Sequence, residues 1–161
     1  MELVPASSLI IYLSHGVIMG LEKIRVLVVD DHVLVRKGLK GLIESQNDME
    51  CVGQAEDGSE AIAMVEKTSP DVVIMDISMP VMNGLAATRE IIAVSPSARV
   101  IILSLHVTAG LLQQAVRNGA SGYLLKRGVS EELPEVIRSV QRGVPYFSES
   151  IPETYISEDL F

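Results

Sequence analysis

The chain contains a single cysteine, no long apolar run, and fewer positive than negative side chains, 13 Lys and Arg against 21 Asp and Glu. One cysteine, Cys51, excludes an internal disulfide framework and fits a reducing cytoplasm. Its apolar neighbours mark it as a core residue. The longest apolar stretch near the N-terminus, Leu9-Ile10-Ile11-Tyr12-Leu13, is too short to span a bilayer. No Lys or Arg precedes it, so it does not read as a signal peptide. A net charge of −8 argues against DNA or RNA binding by this chain, since phosphate contacts supply most nucleic-acid affinity. It suits a cation site and protein partners. Hydrophobic residues form 48% of the 161, enough for one domain with a substantial core.

Residues 1–22 lack clear periodicity and read as an N-terminal extension, with Met19 as a second possible start. The alternative is a short element docking through Leu9, Ile11 and Leu13. From residue 23 strands and helices alternate. Ile24 to Val29 is a near-continuous apolar run, as in a parallel strand covered on both faces. Further strands are expected at 49–55, 71–75, 100–103 and 122–125. Helical stripes fall between them, with Val35, Leu39, Leu42 and Ile43 inward in the first and Leu133, Val136, Ile137 and Val140 inward in the last. Asp31 and Ser130 are expected to cap these two helices, Gly119 to end the fourth, and Pro134 to sit in the first turn of the last. Five βα units in order imply an α/β doubly wound parallel sheet with helices on both faces.

The chemistry gathers at strand ends. Asp30-Asp31, Asp76, Ser104 and Lys126 each follow or close an apolar run. That places them at the carboxyl edge of the sheet, where ligands of open α/β sheets bind. Taken singly, each has an ordinary explanation: a helix cap, a turn residue, a strand-end hydroxyl, a solvated lysine. Together they require separate coincidences on one edge. Clustered carboxylates repel, and Mg²⁺, with its preference for hard oxygen ligands, removes the conflict. Asp30 and Asp31 are the candidate ligands, joined by Asp76 and the backbone carbonyl of Ser78. Asp76 is also the candidate nucleophile, forming an aspartyl-phosphate. Lys126 would neutralise transferring charge, and the Ser104 hydroxyl would donate to a phosphoryl oxygen.

The stretches Val28-Val29-Asp30-Asp31-His32, Met75 to Gly84, Leu103-Ser104 and Gly119 to Lys126 resemble the response-regulator receiver domains of two-component signalling. The resemblance covers about residues 23–147. It implies a flavodoxin-like five-stranded sheet of order 2-1-3-4-5, phosphorylation of Asp76 by a sensor histidine kinase, and Ser104 with Tyr123 as a switch pair. Gly119 to Lys126 and Gly143 to Ser148 are similar to the NarL/FixJ (LuxR-type) subfamily, whose members usually continue into a helix-turn-helix domain. The chain to Phe161 is too short for one. It is therefore expected to be a receiver lacking its DNA-binding part, with residues 148–161 a linker remnant or a segment docked on the domain or on a second copy. Arg127 stands where many receivers carry proline. His106 falls at a position that borders the phosphorylation site in related domains, although an exposed loop histidine is the plainer reading. The implied function is a cytoplasmic signalling switch, not an enzyme, with homodimerisation open. The alternative is an aspartyl-phosphate phosphohydrolase. It is disfavoured because the haloacid-dehalogenase-like enzymes carry their nucleophile after the first strand with a second aspartate two residues on.

Overall fold

The structure, a computed structural model, describes residues 9–13, 16–20 and 22–160. Two short strands, β1 (Leu9–Leu13) and β2 (Gly16–Gly20), pair antiparallel with Leu9 opposite Gly20. The extension expected over residues 1–22 thus includes a hairpin; residues 1–8, 14–15 and 21 lie outside the described ones.

The main body alternates β3 (Ile24–Val29), α1 (Val33–Glu44), β4 (Met49–Ala55), α2 (Gly58–Thr68), β5 (Val72–Asp76), α3 (Gly84–Val94), β6 (Arg99–Ser104), α4 (Ala109–Arg117), β7 (Gly122–Leu125), α5 (Val129–Gln141) and β8 (Tyr146–Phe147). The sheet is parallel, in the order β4-β3-β5-β6-β7-β8. The first five positions match the expected 2-1-3-4-5 order. The sixth strand corrects the expected five-strand count. It has two residues, too few for any alternation to show in sequence, and is held by Tyr146 N–H on Ser121 O (3.1 Å) and Ser148 N–H on Tyr123 O (2.9 Å).

Strand residues alternate between two apolar layers, as the two-residue repeat requires. Val26, Val28, Ile74 and Leu124 face α1 and α5, packing with Leu39, Ile43, Leu133 and Ile137. Leu27, Val29, Met75 and Tyr123 face the other way, with Ala61, Ile91 and Leu112 from α2, α3 and α4. Every helix stripe read from the sequence lies inward. Cys51 is half-buried against the first layer, its Sγ 3.3 Å from Gly53 O, and burial raises its thiol pKa.

Several helix ends differ from expectation. Asp31 does not cap α1; the cap position is His32, which makes no side-chain cap bond. Ser130 does not cap α5 either. That helix opens at Val129 after Gly128, whose φ of 86° needs glycine. Pro134 is consequently the sixth helical residue rather than a first-turn one, and its missing N–H leaves the Ser130 carbonyl without its helical donor. Gly119 does end α4. Its φ is 100°, its N–H meets Val116 O, and the Ala120 N–H reaches Ala115 O, the paired bonds of a Schellman ending. No peptide bond among the described residues is cis, including the one at Arg127.

Residues in the 148–160 segment pack against the domain. After β8 they form two 3-10 turns, Glu153–Tyr155 and Glu158–Leu160. Ile151 and Leu160 are buried in the same layer as Tyr123 and Leu112. Their spacing matches no single repeat, which hid this packing from the sequence.

Candidate functional site

Sheet register brings the strand ends level. Val29 lies beside Met75, Asp76 beside Leu103, and Ser104 beside Leu125. Asp30, Asp76, Ser104 and Lys126 therefore meet on one edge. Asp30 is fully buried and Asp76 nearly so. The Lys126 ammonium bridges them, 3.0 Å from Asp30 Oδ2 and 3.3 Å from Asp76 Oδ1.

The loop after Asp76 is held close by Gly84, whose N–H donates to Ile77 O at 2.9 Å. A Cβ on Gly84 would run into the Asp76 carbonyl, so the approach demands glycine. Asn83 then caps α3 by accepting from the Ala86 N–H at 2.9 Å. Within the loop, Met82 N–H donates to Pro80 O across Val81, a three-residue turn with Val81 at φ 66°. A β-branched residue there is strained, and it stands 85% exposed beside the site.

Burial, then the Asp30 charge, pushes the Asp76 carboxyl above its ordinary pKa, against the pull of Lys126; Asp31 adds to the rise. Burial acts to lower the Lys126 pKa, but its hydrogen bond to Asp30 and the Asp76 charge outweigh it and the net shift is upward. Three carboxylates thus face one ammonium. A divalent cation would balance the remainder.

The donor set fits such an ion. Atoms of Asp30, Asp31, His32 and Asp76 that can bind metal lie within 4.8 Å of one another. Asp31 Oδ1 is buried and accepts no hydrogen bond, although His32 Nδ1, which pairs with Asp30 Oδ1, is 3.1 Å away. An unsatisfied buried carboxylate oxygen beside two more carboxylates could hold a divalent cation. Ser78 is exposed and lines the same pocket of about 200 Å³ with His32, Asp76, Ser104, Leu105, His106 and Lys126. Millimolar Mg²⁺ is expected to raise the melting temperature. At a hundredfold excess over Kd the gain is about 2.7 kcal/mol, and it should shrink as pH falls through the raised Asp76 pKa, because protonation removes a ligand. Scanning fluorimetry with and without chelator checks this; an unchanged melting temperature would contradict the metal assignment.

Two residues of the site were not singled out from the sequence. His32 N–H and Nδ1 both sit on Asp30 Oδ1, at 2.9 and 3.0 Å, so the histidine orients the buried carboxylate. Its adjacency to the aspartate pair was the available signal. Arg36, buried on α1, donates to the Asp30 carbonyl at 2.6 Å and reaches Glu56 at 3.4 Å. An arginine beside the apolar stripe of α1 was the corresponding clue.

On the pocket wall, Ser104 Oγ accepts from the His106 N–H at 3.3 Å. Tyr123 is fully buried and its hydroxyl donates to the His106 carbonyl at 2.7 Å. Burial raises the Tyr123 pKa, partly offset by the Ser104 hydroxyl. The side chain of His106 is exposed, and its backbone connects the two.

The fold and this acidic edge define a receiver. The model of the response regulator receiver domain family matches residues 26–138. The chain belongs to that family: it is the receiver domain of a two-component response regulator of the LuxR/NarL group. It is 38% identical over 136 residues to the transcriptional regulatory protein DegU of Brevibacillus brevis, covering 84% of this chain and 58% of DegU. It is also 38% identical over 135 residues to the oxygen regulatory protein NreC of Staphylococcus carnosus, covering 83% of this chain and 62% of NreC. The chain thus spans about three fifths of the length of these curated relatives. Among solved structures it resembles a LuxR-family two-component response regulator from Aurantimonas, with TM-score 0.79, 33% identity, and coverage of 86% of this chain and 99% of that one. It also resembles the isolated receiver domain of RcsB from Salmonella enterica serovar Typhimurium, solved with the phosphomimetic BeF3⁻ (TM-score 0.73, 27% identity, coverage 80% and 95%). No helix among the described residues is long and apolar enough to cross a membrane.

Proposed function

We propose that Asp76 accepts a phosphoryl group from a sensor histidine kinase and that this receiver, spanning residues 23–147, passes the change to its α4–β7 face. The observation that carries the reading is the buried Asp30–Lys126–Asp76 bridge beside the unsatisfied Asp31 oxygen. An Asp76 carboxylate oxygen attacks phosphorus. The P–O bond forms as the P–N bond to the kinase histidine breaks, and the imidazole leaves neutral once protonated. Asp30, Asp31, Asp76 and the Ser78 carbonyl would hold Mg²⁺. When bound, that ion supplies charge neutralisation through hard oxygen coordination. Lys126 offers its ammonium to the transferred group, and Ser104 turns its hydroxyl toward a phosphoryl oxygen.

Ser104 and Tyr123 then form the switch. The buried Tyr123, bonded to the His106 carbonyl, is the arrangement that phosphorylation favours; without the phosphoryl group Tyr123 also visits an outward one. Inverting a 1:99 population takes about 5.5 kcal/mol of differential stabilisation. In the full-length regulator the output is control of transcription through a separate DNA-binding part, in the cytoplasm, with homodimerisation as the means of pairing sites. LuxR-family receivers are regulatory, so turnover is not the expected role. Incubation with acetyl phosphate and Mg²⁺ should place one phosphoryl group per chain, and p-nitrophenyl phosphate should yield no sustained phosphate release. Steady release would favour the phosphohydrolase alternative.

A further inference from the structure

We infer that residues 148–160 form an intramolecular strap whose docking on α4 stabilises the inward position of Tyr123, making the strap a built-in positive effector of the switch. This rests on the switch reading above and adds a regulatory element to it. One hydrogen bond and a shared apolar layer tie the strap to Tyr123. The Ser148 N–H donates to the Tyr123 carbonyl at 2.9 Å. Ile151 and Leu160, 4% and 7% exposed, are buried in the layer that holds the Tyr123 ring.

The strap has a fixed origin and a fixed end. Glu132 of α5 accepts from the Ser148 hydroxyl at 2.9 Å and from the Tyr146 hydroxyl at 3.2 Å, pinning the point where the strap leaves β8. Leu160 reaches the C-terminal end of α4, where it lines a cavity with Val116, Arg117, Gly119 and Ala120. Between these points Tyr155 and Ile156 are half-buried against the same apolar layer. A segment pinned to β7 and α5 at its origin and seated on the C-terminal end of α4 at its far end resists displacement of that helix.

The docked strap and the inward tyrosine occur in the same structure, so positive coupling is the sign inferred. If the strap packs better on that arrangement, it shifts the population toward it. A phosphoryl group that favours the same arrangement must tighten the strap by an equal factor, because coupling between two binding events is reciprocal.

The test measures both directions in the full chain. Beryllofluoride with Mg²⁺ serves as the phosphoryl mimic. Leu160→Asp disrupts the far end of the strap, and Ile156→Asp, at a half-buried position, disrupts it with less loss of core; circular dichroism confirms folding. In each variant the Tyr123 ring should become solvent-exposed by NMR, and the mimic's Kd should rise about fivefold or more, the low end of ordinary coupling. In the unsubstituted chain, saturating mimic should slow amide exchange across residues 149–160 by a matching factor. An unchanged Kd with unchanged strap exchange would overturn the proposal. If the unsubstituted chain failed to bind the mimic at all, the phosphoacceptor reading would fall; the strap would then be judged on the Tyr123 ring alone, and a ring still buried in both variants would refute it.

Discussion

Asp76→Asn will abolish labelling by acetyl phosphate and Mg²⁺ while raising the melting temperature of the metal-free domain. The first effect follows from removing the nucleophilic oxygen. The second follows from the site's electrostatics. Burial and the Asp30 charge raise the Asp76 pKa in the folded state, so ionised Asp76 opposes folding. That cost is fully present above the folded pKa and vanishes as pH falls below the unfolded one. The advantage of Asn should accordingly be largest at neutral pH and fade on acidification, at about 2–4 °C for each kcal/mol relieved. Stoichiometric labelling of the variant would move the nucleophile elsewhere, and a lowered melting temperature at pH 7 would contradict the charge argument.

Lys126→Ala will lower stability substantially and leave a domain that binds Mg²⁺ but switches poorly. The lysine is the partner of a carboxylate 1% exposed, at 3.0 Å, and also touches Asp76. Removing one member of a buried pair typically costs about 3–5 kcal/mol, because the other charge is left uncompensated. The Lys126 pKa is raised in the folded state, so its stabilisation is complete below its unfolded pKa, which includes neutral pH, and disappears only as pH rises through the folded value. The deficit of the variant should therefore be full at pH 7, shrink as acid protonates Asp76, and shrink again when Mg²⁺ is added. Urea denaturation at two pH values, with and without Mg²⁺, measures it. A loss under about 0.5 kcal/mol at pH 7, within the ordinary scatter of surface substitutions, would contradict this role.

Much of the fold was legible because the sheet is buried on both faces. Its strands are short continuous apolar runs, and Gly and Pro punctuate them at Pro96, Gly119 and Gly122. The acidic edge was legible for a related reason: each candidate residue follows or closes one of those runs. What escaped was set by tertiary contact. β8 has two residues and pairs only because Ser121 and Tyr123 offer carbonyls. Asp31, read from the sequence both as a candidate ligand and as a cap, does not cap α1, since its side chain belongs to the carboxylate cluster. The helix α5 begins before Ser130 because Gly128 takes a positive φ that no pattern announces. Ile151 and Leu160 lie among acidic and hydroxyl residues without a repeat, so only the packed structure assigns them to the core.

The central claim is that Asp76 is the residue that carries the phosphoryl group. Peptide mapping by mass spectrometry after brief exposure to acetyl phosphate and Mg²⁺ tests it most directly. The expected result is a single base-labile, hydroxylamine-cleavable phosphoryl group on the peptide containing Asp76, lost when Mg²⁺ is chelated beforehand. A phosphoryl group on any other residue, or labelling indifferent to Mg²⁺, would contradict it.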